Sequence, residues 1–291
     1  MNLNEAIKSQ YGNGVTVLSR RPVAGGDINR AYALELSDGS RIFMKANSRE
    51  RENLFISEAD SLEAIRSTAA VRTPRVIARG TDEDFSFLLL EYIETGYGDR
   101  RSHEMLGREL AGMHRADTSQ FVSGGKYGFR NNNYLGSGVQ INTPMDSWVD
   151  FFRECRLAPL FEQTASYFSQ DERRKSGILL DRLDRYLPEP EIPSLLHGDL
   201  WGGNYMIDRD GNPWLIDPAS YVGHAEADLA MTELFGGFSD SFYAAYREAF
   251  GIDSGYRDRK DLYNLYHLLK HLKLFGTGYL GPALSVLSRY A

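Results

Sequence analysis

Cysteine is almost missing: Cys155 stands alone in 291 residues, so no disulfide can form within the chain and a thiolate metal cage is excluded. Long apolar runs are missing as well. No stretch approaches the roughly 18 residues that a membrane-spanning helix needs, and the opening MNLNEAIKSQYG lacks an apolar signal core. Excess positive charge is lacking: 33 Lys and Arg stand against 40 Asp and Glu, for a formal net charge of −7. The basic clusters Arg20-Arg21, Arg100-Arg101 and Arg173-Arg174-Lys175 lie apart among acids, which leaves no nucleic-acid footprint. Nor is there a phosphate loop of the G-x4-G-K-[ST] type. These absences predict a soluble protein of a reducing compartment, by default the cytoplasm, with neither nucleic acid nor membrane as partner.

What is present is an ordinary globular composition, 42% hydrophobic and 25% charged, enough for one large domain or two coupled lobes. The first third reads as mixed strand and helix. Val15–Leu18 is a short strand candidate. Ala31–Leu36 and Arg41–Ala46 are extended runs joined by Ser-Asp-Gly-Ser, a hairpin signal. Leu54, Glu58, Leu62 and Ile65 fall on one stripe of a helix predicted over Glu52–Ser67. Val76–Arg79 and Phe85–Tyr92 look like a further pair of strands. Beyond the polar crossing Glu94-Thr95-Gly96-Tyr97-Gly98 helical periodicity dominates, at Leu106, Leu110 and Met113, over Trp148–Cys155 and over Ile178–Leu187. A strand-loop-strand region interrupts it from Leu195 to Ile216, and helices return from Ala227. The pattern predicts an α+β chain: a small β-rich lobe over residues 1–93 and a larger helical lobe over 94–291, with the boundary near 91–97. There is no internal repeat.

The most informative segment is Leu195-Leu196-His197-Gly198-Asp199-Leu200-Trp201-Gly202-Gly203-Asn204, followed by two apolar runs flanking Asp210-Gly211 and ending at Asp217. The Asp-Gly turn predicts a hairpin. That hairpin folds Asp217, at the end of its second strand, back toward Asn204 at the start of its first, with Asp199 one short loop upstream. Phosphoryl transfer needs such a set of oxygens. One carboxylate orients the attacking hydroxyl and accepts its proton, the role that suits Asp199. A second carboxylate and an amide hold magnesium, which suits Asp217 and Asn204. His197 is better read as a packing and hydrogen-bonding support of the loop than as a proton carrier.

Lys45 ends an otherwise apolar strand. Glu58 lies on the apolar stripe of the following helix, and a carboxylate there needs a partner. A Lys45–Glu58 pair would hold the ammonium toward nucleotide phosphates. Gly25 and Gly26 would let backbone amides approach phosphates, with a plain tight turn as the even alternative. The run Phe87–Leu90, then Glu91, Tyr92 and Ile93, offers backbone groups to an adenine where the lobes join. Trp201 leaves two readings open: an exposed ring facing a sugar, or packing under the loop. His267 and His271 stand four apart on a helix, but no third ligand accompanies them, which favours a structural role.

These residues resemble the fructosamine kinase family (ketosamine-3-kinases), within the aminoglycoside-phosphotransferase and choline-kinase group. The resemblance is carried by H-G-D-L-W-G-G-N, L-I-D-P-A-S-Y and E-A-D-L-A-M-T-E-L-F-G-G-F, and extends through G-G-D-I-N, F-M-K-A, L-L-L-E-Y-I and G-R-E-L-A-G-M-H over nearly the whole chain. It implies a two-lobed, protein-kinase-like fold with a five-stranded first lobe and a hinge near Glu91 to Ile93. It implies ATP and Mg2+ as cofactors and phosphorylation of the 3-hydroxyl of a ketosamine, a sugar-amine or glycated amine whose 3-phosphate falls apart and frees the amine. By position it implies Asp199 as base, Asn204 and Asp217 on magnesium, Lys45 with Glu58 on the phosphates, and Trp201, Glu226 and Asp228 around the sugar. Asp217 is followed by Pro-Ala rather than Phe-Gly, which argues against a protein kinase, and Asp27 places an acid in the phosphate loop. The competing readings are a kinase of the same superfamily acting on an aminoglycoside, choline or a thio-sugar, and a pseudokinase. Retention of Lys45, Glu58, Asp199, Asn204 and Asp217 opposes the latter.

Overall fold

A computed structural model describes residues 1–24 and 28–291; Gly25, Gly26 and Asp27 lie outside the described residues, and with them the expected amide contacts of the two glycines. The chain begins with helix α1 (Leu3–Tyr11), capped at Asn2 by a reciprocal pair of hydrogen bonds with Glu5. Strands β1 (Val17–Val23), β2 (Arg30–Leu36), β3 (Arg41–Ser48), β4 (Val76–Thr81) and β5 (Phe85–Glu91) form one antiparallel sheet in the order β1-β2-β3-β5-β4, with helix α2 (Glu52–Ser67) between β3 and β4. Pro22 is tolerated because β1 is an edge strand, where one side of the ladder needs no N–H. The strand expected at Val15–Leu18 starts two residues later and runs on to Val23.

Alternation along the central strands decides what faces the cleft. Ile42, Met44 and Ala46 of β3, with Phe87 and Leu89 of β5, pack into a core that includes Ala6 and Ile7 of α1. Leu88 and Leu90 point to the opposite face, where Phe55, Ala59 and Leu62 of α2 cover them together with Phe43. Lys45 is two residues from Phe43 and so shares the α2 face. The register Lys45↔Leu88 places it at the centre of the sheet.

The remaining chain is mostly helical, as the resemblance implies. It comprises α3 (Arg100–His114), a small hairpin β6 (Asn133–Leu135) and β7 (Gly138–Gln140), α4 (Trp148–Phe152), α5 (Ala158–Gln163) and α6 (Gln170–Asp181). Then come four short strands, β8 (Ser194–Leu196), β9 (Tyr205–Ile207), β10 (Pro213–Leu215) and β11 (Tyr221–Gly223), and the helices α7 (Ala225–Leu234), α8 (Asp240–Ala249), α9 (Tyr256–Phe275) and α10 (Leu280–Tyr290). The helix expected over Trp148–Cys155 gives way after Phe152 to a π-helical turn over Arg153–Leu157. The helix expected over Ile178–Leu187 starts earlier, at Gln170 behind a Ser169–Glu172 capping box, because its first turns are polar and carry no apolar period. One large core joins these elements around Trp148, and Ala64, Ile65 and Val71 belong to it as well. The far end of α2 therefore packs into the helical part, so the two lobes share a core where they meet. No helix among the described residues is long and apolar enough to cross a membrane.

Candidate active site

The predicted hairpin is present. β9 and β10 pair antiparallel across Asp210-Gly211, with Ile207 opposite Pro213 and Tyr205 opposite Leu215. One further backbone bond, Ile216 N–H to Asn204 O at 3.0 Å, closes its open end and sets Asp217 beside Asn204. Asp217 adopts φ 57°, a left-handed conformation that Asp tolerates better than most residues. The carboxylate that leaves this turn meets Lys45: Nζ lies 2.5 Å from Asp217 Oδ1 and 2.6 Å from Glu58 Oε1. Lys45 is buried while the Asp217 side chain stays 41% exposed, so the pair sits at the edge of a cleft rather than sealed inside. Burial would lower the Lys45 pKa, but the charges of Asp217 and Glu58 outweigh it and hold the ammonium well above the ordinary lysine range. Burial pushes Glu58 up to about 6, against the pull of Lys45.

Asp199 is held by its neighbour in the loop. Asn204 Nδ2 donates to the Asp199 carbonyl at 2.8 Å and to Asp199 Oδ2 at 3.1 Å, which leaves the other carboxylate oxygen for a ligand. Burial raises the Asp199 pKa to about 7; the nearby Asp217 charge adds to this and the Asn204 hydrogen bond opposes it. A base poised near neutrality is matched to taking a proton from a hydroxyl. His197 is fully buried. The Asp199 N–H points at its Nδ1 at 3.3 Å, so Nε2 carries the proton and donates to Ile216 O at 2.9 Å. Burial lowers its pKa, so the ring is a neutral strut between the Asp199 loop and the end of the hairpin. Gly198, at φ +82°, passes so close to Ala219 that a Cβ would stand 2.2 Å from its carbonyl oxygen.

The donor set suits magnesium. Asn204 uses its side-chain nitrogen within the loop, and among the described residues its side-chain oxygen Oδ1 receives no hydrogen bond; Asp217 uses one oxygen on Lys45. A hard cation that keeps several waters and takes phosphates as ligands needs one or two protein oxygens of this kind. Correspondingly, no cluster of three or more His, Cys, Asp or Glu able to cage a metal occurs among the described residues. His267 and His271 do not make one: His267 is buried, and His271 Nδ1 donates to the His267 carbonyl at 2.8 Å.

Two expected sugar residues are placed elsewhere. Glu226 is buried and forms a two-pronged pair with Arg259, at 2.6 Å for each arm. Asp228 is 2% exposed. Its Oδ2 accepts from His197 N–H at 2.6 Å and from His114 Nε2 at 3.2 Å, and its Oδ1 accepts from Gly198 N–H at 2.9 Å. Burial alone would raise the Asp228 pKa, but the His114 hydrogen bond and these partners hold it below the usual carboxylate range. Both carboxylates are thus consumed in the interior, and Asp228 shapes the backbone of the loop that carries Asp199. Trp201, in contrast, is 41% exposed, with its six-membered ring lying over Gly203, where a Cβ would be 2.4 Å away. Of the expected hinge, Glu91 ends β5 and accepts from Arg75 N–H at 3.1 Å. Tyr92 and Ile93 follow outside the ladder, Tyr92 lying under the Arg41 guanidinium. Glu94 then pairs with both Arg41 and Arg209, and Gly96 N–H reaches Ile207 O at 2.8 Å. The crossing is therefore buttressed by the same hairpin that sets Asp217.

The sequence reading passed over a layer behind the site. Asn133 Nδ2 donates to Ser220 O at 2.7 Å, and Gln140 Nε2 to Ala219 O at 2.9 Å, so the β6–β7 hairpin clasps the backbone just beyond Asp217. Tyr266 O–H supports Gln140 at 2.7 Å, and Arg156 Nη2 supports Asn142 at 2.8 Å. Lys270, one turn along α9 from Tyr266, is buried too. Its signal was available: it stands on the apolar face of that helix just as Glu58 does on α2.

The family model described as fructosamine kinase matches residues 1–291. A Synechocystis protein named as a probable ketoamine kinase is 38% identical, covering 98% of this chain and 94% of its own. The chloroplastic protein-ribulosamine 3-kinase of Arabidopsis thaliana is 37% identical, covering 96% of this chain and 84% of its own. The crystal structure of a Haemophilus somnus protein named as a putative fructosamine-3-kinase superposes with a TM-score of 0.86 at 26% identity, over 99% of this chain and 96% of that one. With a match over its full length and relatives well above 30% identity, this chain belongs to the fructosamine kinase family of phosphotransferases that act on an alcohol group.

Proposed function

We propose that the protein transfers the γ-phosphoryl group of ATP to the 3-hydroxyl of a ketosamine, a fructosyl- or ribulosyl-amine. The observation that carries the reading is the convergence of Lys45, Glu58, Asp199, Asn204 and Asp217 in one cleft of a chain from this family. In this reading residues 1–93 form the nucleotide lobe and 94–291 the lobe that holds the acceptor. Backbone groups of Glu91, Tyr92 and Ile93 meet the adenine, and Gly25 and Gly26 approach the phosphates. Lys45, steadied by Glu58, donates to phosphate oxygens. Asn204 and Asp217 would hold Mg2+, which would offset the charge of the nucleotide's phosphates. Asp199 orients the acceptor hydroxyl and takes its proton onto the carboxylate oxygen that Asn204 leaves open. Trp201 offers its exposed face to the sugar. The product 3-phosphate is unstable, and its breakdown frees the amine.

Purified protein with magnesium-ATP is expected to phosphorylate ribulosyl-lysine or fructosyl-lysine, with NMR locating the phosphate on C3. Consumption of an aminoglycoside or choline in the same ADP-release screen, with no ketosamine turned over, would overturn the substrate. Asp199→Asn is expected to lower kcat by about 10²–10⁴-fold while nucleotide binding persists.

A further inference from the structure

Two cations are buried behind the β6–β7 hairpin with no carboxylate to match them. Arg156, from the π-helical turn, is fully buried, and Lys270, from α9, is 2% exposed. Neither forms an ion pair among the described residues. The Arg156 guanidinium is held by neutral groups: it donates to the carbonyls of Ile141 and Cys155 and to Asn142 Oδ1, and lies 3.9 Å over the Tyr221 ring. Its Nε is buried without a hydrogen-bond partner. Lys270 Nζ donates once, to Gly138 O at 3.0 Å. An ammonium has three N–H donors, so two are left over. Burial, then the charges of Lys273 and Arg156, push the Lys270 pKa down to about 8, which still leaves the group charged at neutral pH. Unmatched buried charge and unused buried donors are both costly.

The two side chains line one cavity. Its other walls are apolar or neutral, Val139, Pro159, Leu160 and Gln163 among them, and no Asp or Glu of the described residues takes part. The cavity measures about 20 Å³, room for one particle the size of a water and too little for a phosphate or a carboxylate. Gly138 lets Nζ in, since a Cβ there would stand 2.6 Å from it.

We propose that this cavity binds one small monovalent anion, of the size of chloride, between Lys270 Nζ and Arg156 Nε. A water would fit the space and accept the spare hydrogen bonds, but it would leave two positive charges unmatched. An anion answers the donors and the charge together. Gln140 lines the same cavity; it accepts from Tyr266 O–H at 2.7 Å and donates to Ala219 O at 2.9 Å. The bound anion therefore braces the hairpin that clasps the backbone just beyond Asp217. The assignment is independent of which acceptor the enzyme takes.

The test is the chloride dependence of thermal melts at fixed ionic strength, with chloride replacing gluconate, on the wild type and on Lys270→Met. A ligand that binds only the folded protein stabilises it in proportion to the logarithm of its concentration above the dissociation constant. Chloride at about ten times that constant is expected to raise the wild-type midpoint by about 3 °C, and Lys270→Met is expected to lose most of the shift. Lys270→Gln, which keeps a donor for Gly138 without the charge, replaces Lys270→Met if the latter does not fold. Crystals grown in bromide should show an anomalous peak within hydrogen-bond reach of both Nζ and Nε. Equal chloride shifts in wild type and variant would put the ion elsewhere and overturn the proposal. A wild type indifferent to chloride overturns it too: the cavity then takes a water, and any bromide peak in it marks an adventitious ion only. A chloride shift lost in the variant with no bromide peak at the two nitrogens also overturns it, since Lys270 would then act on a site elsewhere.

Discussion

Lys45 Nζ touches two carboxylates at once, Glu58 at 2.6 Å and Asp217 at 2.5 Å, one from the sheet's own helix and one from the loop that follows the β9–β10 hairpin. The ammonium is thus a strut across the cleft, and in the proposed function it also donates hydrogen bonds to the nucleotide's phosphates. Lys45→Met is expected to cut kcat/KM for ATP by about 10²–10³-fold, the size of losing one preorganised charge stabiliser. Glu58→Gln keeps the shape and removes only the anchoring charge, so it should chiefly raise the KM for ATP, by about tenfold. Steady-state kinetics at varied ATP decide this, and a Lys45→Met enzyme with unaltered ATP kinetics would take the lysine out of phosphate binding.

Asp228 ties the loop that carries Asp199 to the interior through two backbone N–H groups and His114. Asp228→Ala would strand all three donors in a site closed to water. Breaking a buried arrangement of this kind costs about 3–5 kcal/mol, so a large drop in melting temperature is expected, with kcat lost as the loop relaxes. A variant that melts like the wild type and shows only a raised sugar KM would return Asp228 to the sugar pocket.

Why was Asp228 misplaced in the sequence reading while Asp199, Asn204 and Asp217 could be brought together? The three converge through local geometry: a short loop, an Asp-Gly turn and two three-residue strands, all written in consecutive residues. Lys45 and Glu58 were legible for a related reason, since a period-two strand and a helical stripe each fix which face a side chain occupies. Asp228 pairs with groups 30 and 31 residues upstream and with His114, 114 residues away. No periodicity encodes such contacts. The clasp of Asn133 and Gln140 on Ala219 and Ser220 was invisible for the same reason, and β11 is too short for any alternation to register. Helix α1 was readable but unread: Asn2 and Glu5 spell its capping box.

Gly203 gives the Trp201 ring its resting place, with 2.4 Å between the ring and a notional Cβ. Gly203→Ala must therefore move the indole while leaving the buried parts of the loop alone. The expected outcome is a shift in tryptophan emission and a raised KM for the sugar acceptor, with the KM for ATP changed less than twofold. Equal effects on both KM values would show that the whole loop had moved, and an unchanged sugar KM would remove Trp201 from the acceptor site.

His224 and His267 are buried rings whose pKa values lie at about 3, lowered first by burial and then by neighbouring positive charge, from Arg259 at His224 and from His271 at His267. His224 Nδ1 meets Tyr263 O–H at 2.6 Å, and His267 Nδ1 has no hydrogen-bond partner among the described residues. Both fold as neutral imidazoles. Between the folded value near 3 and the unfolded value of about 6.5, each ring binds more protons in the unfolded chain than in the folded one, so each by itself lowers stability as pH falls, whereas the raised Asp199 and Glu58 carboxyls act in the opposite sense over the same range. At 1.36 kcal/mol for each pH unit below 6.5, each ring withdraws about 2 kcal/mol by pH 5 relative to pH 7. Because the carboxyls offset the rings, the effect is read by difference: in denaturant melts the stability gap between the wild type and His267→Asn should shift by about 2 kcal/mol in favour of the variant from pH 7 to pH 5. A gap that does not change between pH 7 and pH 5 would mean that the His267 ring is already protonated, or already solvated, in the folded protein.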